Sequence, residues 1–380
     1  MGYTLYDALI DWDLSRSDVA APLKPGLATG WSVDEAEKTR WTIRLRPGVR
    51  FHDGSLVDAD AIVWNLDKVF NKDAPQYSPA VVAQVLWRLP GIASYRKIDA
   101  MTVEITTKGP DATLPYQLAG LMIASPARWR DAGSWQAFAR NPSGTGPWTA
   151  AESRDRRGGE GDALVWHLEL PDPLRPGGGQ TPAGGGRLRA DKPLHLRFMI
   201  STSGSGQMYP LPMNEFVQQN LADVGVKLDL EVLEWQALRA RRDAGGAKGA
   251  GSKGIDAINN SWNSMDPLSA FLRHVDSTAT PPAGLNWGFL NDPELDKLAA
   301  EARETFDPKA QDAVLAKIDT RMVDQADWIF VVHDVNPRAV TNKVSGLVEA
   351  QSWYVDFSPV SVPRTATVNP ARPWRTAARR

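Results

Sequence analysis

Apolar and polar residues alternate where Trp41, Ile43 and Leu45 face Thr42, Arg44 and Arg46, the period of a half-buried strand. Pro47-Gly48 turns the chain and Val49-Arg50-Phe51 returns, so the pattern predicts a hairpin. Asp58 or Asp60 then offers a cap to a helix whose apolar face is Ile62, Val63, Leu66, Val69 and Phe70. Met101, Val103 and Ile105 alternate in a further strand. Residues 1–150 read as one α+β lobe.

Beyond residue 192 strands and helices take turns, and 192–334 reads as a second, α/β lobe. Leu194–Ile200 is a strand, Asn214–Val224 an amphipathic helix stopped by Gly225, and Val226–Leu233 the next strand of a βαβ unit. Pro210 and Pro212 are expected to delay that helix. Asp292-Pro293 and Asp307-Pro308 each open a helix, because Asp accepts the orphan backbone N–H groups and Pro has none to lose. Trp328–His333 is predicted as a buried strand, and 335–362 as a return to the first lobe.

The intervening residues 151–191 differ in kind. They hold nine Gly, four Pro, six Arg and no Lys, so they can pack little and read as a linker. The tail, 363–380, has five Arg and three Pro without Lys and is expected to be disordered. Over the whole chain the composition is that of a globular protein, with 42% hydrophobic and 23% charged residues and a net charge of −2. That balance gives no electrostatic case for nucleic acid. Without Cys, thiol catalysis and Cys-based metal sites are excluded. Met1–Asp7 carries neither a basic nor an apolar leader region, and Thr113–Ala124 is too short to span a bilayer, so no signal peptide or anchor is expected.

Candidate chemistry is sparse. The five His lack the i, i+4 spacing of a helical zinc site, so His52 and His333 read as structural, while carboxylates are plentiful and a glycosidase pair is neither supported nor excluded. Ser203-Gly204-Ser205-Gly206-Gln207 follows a strand but departs from a dinucleotide loop at Tyr209, leaving an ordinary Gly-rich turn. The stronger cluster is Asn259-Asn260-Ser261-Trp262-Asn263-Ser264-Met265-Asp266-Pro267, at the end of the predicted strand Ile255–Ile258. Ligands bind at such carboxyl ends in open α/β sheets. Asp266 reads either as a helix N-cap or as a ligand contact, and Trp262 as a stacking surface or as core. Asn286-Trp287 poses the same question.

Leu27–Val33, Trp41–Leu45, Arg46-Pro47-Gly48-Val49-Arg50-Phe51-His52-Asp53-Gly54 and Gly144-Thr145-Gly146-Pro147-Trp148 together resemble family 5 extracellular solute-binding proteins, the peptide/nickel-type receptors of ABC importers. Asn263–Pro267, Asn291–Leu298 and Val344–Leu347 fit the same pattern. The resemblance implies a mixed α/β, two-lobed type II periplasmic-binding-protein architecture that closes on a small solute and docks on a membrane permease, as a monomer in the periplasm or outside the cell. It implies no reaction and no cofactor. The ligand-binding set expected on this reading is Asn260, Trp262, Asn263, Asp266, Asn286, Trp287 and Trp353. In the family's peptide binders an Asp stands where this chain has Asn263. That loses a charge-assisted partner for a peptide ammonium, so a neutral or differently charged solute is expected. The family's long stretch after the Gly144–Trp148 segment is replaced here by Arg/Gly/Pro-rich sequence. The expectation is therefore an incomplete architecture, truncated at its start and lacking a central segment. The competing readings are a saccharide-acting enzyme and a non-binding relic.

Overall fold

The computed structural model describes residues 5–149, 193–203, 207, 209–245, 254–261, 266, 268–281, 284–328, 331, 338–352 and 354–362. Two compact units divide the chain: Met1–Ala150 with Asn263–Arg380, and Ala151–Trp262.

In the first unit, β1 (Ile10–Trp12) and β2 (Leu23–Pro25) form an antiparallel pair. The main sheet is antiparallel in the order β3 (Ala28–Val33), β4 (Arg40–Leu45), β6 (Thr102–Thr107), β5 (Ile92–Asp99). The alternation along β4 sends Trp41, Ile43 and Leu45 inward, and register sets Trp41 opposite Ile105 and Ile43 opposite Val103. Over this face lies α1 (Ala59–Phe70), with Ile62 and Leu66 fully buried in the same core. Asp58, not Asp60, caps it, accepting the Ala61 N–H at 2.9 Å. Asp60 instead pairs with Lys97 on β5. The expected hairpin after β4 does not form. Both edges of β4 are occupied, by β3 and β6, and Arg50 bridges Leu56 across a tight turn at Gly54.

Short helices α2 (Pro79–Val85), α3 (Leu114–Leu118), α4 (Pro126–Ala132) and α5 (Trp135–Arg140) complete this half. Trp64, Trp129, Trp135 and Phe138 pack in edge-to-face and tilted pairs, with centroids 5.4–6.0 Å apart, so these Trp serve packing.

The two most recognisable motifs of the first lobe clip each other. The His52 N–H donates to the Gly144 carbonyl at 2.9 Å, and the His52 ring reaches the Gly146 carbonyl from Nε2 and the Gly144 N–H at Nδ1. A neutral ring protonated at Nε2 satisfies both contacts. The Thr145 hydroxyl donates to Asp7, and the Gly146 N–H to the Leu5 carbonyl. Burial acts to raise the Asp53 carboxyl, but hydrogen bonds with Ser125, Ser55 and Ser143 outweigh it and hold the group below its ordinary value. A Cβ at Gly144 would overlap the Leu5 carbonyl oxygen. Gly144→Ala is therefore expected to destabilise the first unit by about 1–3 kcal/mol, read as a lower urea midpoint at unchanged slope.

Residues 263–334 do not all join the second lobe: the chain divides after Trp262. A π turn (Leu268–Leu272), α8 (Arg273–Val275), α9 (Pro293–Glu304) and α10 (Pro308–Gln325) build a helical core of Leu272, Val275, Leu295, Leu298, Ile318 and Met322 within the first unit. The Ala112 N–H donates to the Arg303 carbonyl at 2.7 Å, and Phe306 stacks on Trp41 at 6.1 Å, fastening these helices to the sheet. Asp292 and Asp307 cap α9 and α10 as their Asp-Pro pairs predict, and Asp292 also takes an ion pair from Arg321 at 2.7 Å.

The second unit contains a parallel sheet in the order β8 (Val226–Leu233), β7 (Leu194–Ser201), β9 (Ala257–Ile258). Helices α6 (Pro210–Asp223) and α7 (Trp235–Asp243) connect the strands. Pro210 starts α6 at its first turn, where a missing N–H costs nothing, so the prolines open the helix and do not delay it. Gly225, at φ 85°, ends it. The linker 151–191 and the tail 363–380 lie outside the described residues, as does nearly all of the strand expected at Trp328–His333; Val331 is exposed.

Candidate functional site

Parallel strands β7 and β9 end side by side in the second unit, and the chain turns polar at both ends at once. Met199 pairs with Ile258, and the ladder continues with the Asn259 N–H on the Met199 carbonyl at 3.1 Å. Met199 and Ile258 pack with Leu238, Ile255, Leu233 and Trp235, so this face of the sheet is covered by α7. Side chains alternate along a strand, so Ser201, two residues beyond Met199, shares that face of β7, and Asn259 and Asn260 follow directly on the end of β9.

On the α6 side the amides form a chain. Gln207 Nε2 donates to Asn259 Oδ1 at 2.7 Å, Asn259 Nδ2 to Asn214 Oδ1 at 2.6 Å, and Asn214 Nδ2 to the Pro210 carbonyl at 2.6 Å. The chain ties the end of the Gly-rich turn to the strand end and to the helix, which gives that turn a structural task. Residues 204–206 lie outside the described residues. On the α7 side, Ser201 is fully buried and its Oγ has no hydrogen-bond partner among the described residues; Asn260 Oδ1 is buried without one too. Asn260 Nδ2 donates to the Ser261 carbonyl at 2.9 Å. Every one of these side chains is neutral.

The remaining expected residues lie elsewhere. Trp262, Asn263 and Trp353 are outside the described residues. Asp266 belongs to the first unit, where its carbonyl accepts the Ala270 N–H at 2.9 Å and begins the π turn. Its charge acts on Arg273, whose guanidinium burial pulls down to about 10 and which stays protonated near neutrality, and it helps burial to raise the Tyr116 hydroxyl. Asn286 is turned inward at 1% exposure. It donates to the carbonyls of Asp276 and Leu290 and accepts the Leu290 N–H, stapling the loop before α9. Trp287 packs edge to face with His274 at 5.8 Å, and His274 with Trp328 at 5.0 Å. Sequence reasoning missed Ser201; the available signal was the hydroxyl run Ser201-Thr202-Ser203 closing the apolar run Phe198–Ile200. Among the described residues, no group of three or more His, Asp or Glu is placed to hold a metal ion, and no helix is long and apolar enough to cross a membrane.

Residues 22–157 match the family of bacterial extracellular solute-binding proteins, family 5 Middle. The glutathione-binding protein GsiB of Pectobacterium atrosepticum is 35% identical over 112 residues, 28% of this chain and 20% of that protein. Di/tripeptide-binding protein 4 of Pseudomonas aeruginosa is 30% identical over 139 residues, 32% of this chain and 26% of that protein. The matched stretch thus spans about a fifth to a quarter of these curated relatives. The dipeptide binding protein of Pseudoalteromonas sp. SM9913, solved with Met-Leu, superposes with a TM-score of 0.70 at 15% identity, over 96% of this chain and 95% of that one. At that identity the likeness is one of fold, the mixed α/β fold of type II periplasmic binding proteins. Over residues 22–157 the chain is thus similar to the bacterial extracellular solute-binding proteins of family 5, and its fold is of the kind seen in the solved dipeptide binding protein.

Proposed function

We propose that this chain is the solute receptor of an ABC importer, working in the periplasm or at the outer cell surface and handing a small polar solute to a membrane permease. The observation that carries the reading is the family match over 22–157 within a peptide-receptor fold. The Ser201 hydroxyl and the Asn260 amide oxygen at the carboxyl ends of β7 and β9 support it, because they offer uncharged hydrogen bonds that no described residue takes up. Hinge motion of the kind this family uses needs contacts that exist only in the liganded state, which makes capture itself the work of the protein.

The solute is peptide-like or another polar organic molecule. Asn263, in place of the Asp of peptide-binding relatives, weakens the hold on an α-ammonium by removing a charge-assisted bond, worth about 1.5–3 kcal/mol. Calorimetric titration with glutathione and with Ala-Ala tests both statements. Stoichiometric binding of either at micromolar affinity or better is expected, and Asn263→Asp should tighten Ala-Ala at least tenfold. Heat-silent titrations with both, or tight Ala-Ala binding unchanged by Asn263→Asp, would contradict receptor and preference respectively.

A further inference from the structure

Buried polar atoms in folded chains are nearly always hydrogen-bonded, because an unpaired one has lost water and gained nothing. Ser201 Oγ and Asn260 Oδ1 break that rule at the carboxyl ends of two paired strands. Trp41 Nε1 and Trp129 Nε1 in the first unit lack partners as well, but each is an indole N–H within aromatic packing. By contrast, the side-chain amides of Asn259 and Asn214 are linked in one chain, and Gln218 Nε2 on α6 donates to the Leu228 carbonyl at 2.6 Å. The register brings the two segments together: Met199 stands opposite Ile258, where β9 ends, and each is followed two residues later in sequence by one of the two orphan atoms. Leu233, the register partner of Ser201 on β8, flanks the pair with an apolar side chain.

The chemistry of the two atoms selects what could satisfy them. An Asn Oδ1 only accepts, and a Ser hydroxyl accepts while donating elsewhere. Neither carries charge, so a carboxylate gains nothing at Oδ1, whereas an N–H or O–H completes it. We infer that Ser201 and Asn260 form a neutral subsite that receives the uncharged hydrogen-bond donors of the captured solute, an amide N–H or a hydroxyl. The inference rests on the receptor reading and narrows it. When solute arrives, no hydrogen bond from either atom to another described residue has to be broken first.

Ser201→Ala and Asn260→Leu remove the two atoms separately, and two measurements follow. Melting of the free variants comes first: each is expected to melt no lower than the wild-type chain, since an orphan atom contributes nothing to the fold. A fall in melting temperature means that the atoms are satisfied in solution and serve the structure, which overturns the subsite. Calorimetry with two neutral probes comes second, N-acetyl-Ala-Ala-amide for amide donors and glucose for hydroxyls. The wild-type chain is expected to bind one of them, and each variant to bind it at least tenfold more weakly. The probe that responds identifies the donor type. Equal affinity of wild type and variants, or wild-type binding of neither neutral probe while Ala-Ala or glutathione binds, overturns the subsite and leaves the receptor reading standing. Absence of binding to all four compounds overturns the receptor reading and the subsite with it.

Discussion

Asn65→Leu is expected to destabilise the first unit by about 3–5 kcal/mol, measured as a fall in the urea midpoint. Asn65 sits mid-helix in α1 and is fully buried. Its Nδ2 donates to the Ala61 and Ala124 carbonyls at 2.9 and 2.8 Å, and its Oδ1 accepts the Ala124 N–H at 3.0 Å and the Lys68 ammonium at 2.7 Å. A leucine fits the volume but removes four hydrogen bonds at once. Both backbone groups of Ala124 and a buried cation lose a partner there, and each unsatisfied group keeps its desolvation cost. An exposed asparagine such as Asn71 offers the contrast: its replacement by Leu should shift the midpoint by less than a fifth as much.

The second large effect concerns Lys68 and pH. Its ammonium touches Asn65 Oδ1, the Met122 carbonyl at 3.0 Å and the face of Trp135 at 6.0 Å; none of these is a carboxylate. Burial lowers its pKa from 10.5 to about 7. The group is depressed on folding, so between about pH 7 and 10.5 the unfolded chain holds a proton that the folded chain has released. Stability from this group therefore rises with pH across that window, by up to about 1.4 kcal/mol per pH unit, and is lost as pH falls toward 7. Lys68→Met removes the titration while Asn65 Oδ1 keeps the Ala124 N–H. The difference in unfolding free energy between wild type and variant should climb between about pH 7 and 9. A difference that stays flat would mean that Lys68 remains protonated in the fold.

What the chain made legible follows physical locality. The alternation at Trp41, Ile43 and Leu45, the Asp-Pro helix starts at 292 and 307, and the Gly225 stop are set by neighbours in sequence, and all appear where the pattern puts them. The hairpin after Pro47-Gly48 was illegible because partner choice for β4 is decided by β3 and by β6, some sixty residues away in sequence. The grouping of residues after Trp262 with the first unit is decided the same way: Phe306 packs on Trp41, and no local pattern announces it. The site divides similarly. A polar cluster after a buried strand pointed to the carboxyl ends of β7 and β9, and Asn260 lies there. Sequence could not separate Asn286, whose amide is fully engaged in its own loop, from Asn260, whose Oδ1 is not, since both are an Asn beside a Trp or Ser. The same blindness hid Asn65, which reads as a polar interruption of α1 and is its anchor.

The proposed receptor role requires capture of a small solute, and native mass spectrometry of the purified protein tests it without assuming which solute. The expected spectrum shows a chain carrying one small molecule, or acquiring one on incubation with a cell extract filtered to remove macromolecules, and releasing it on unfolding. A bare mass before and after that incubation would contradict the receptor reading.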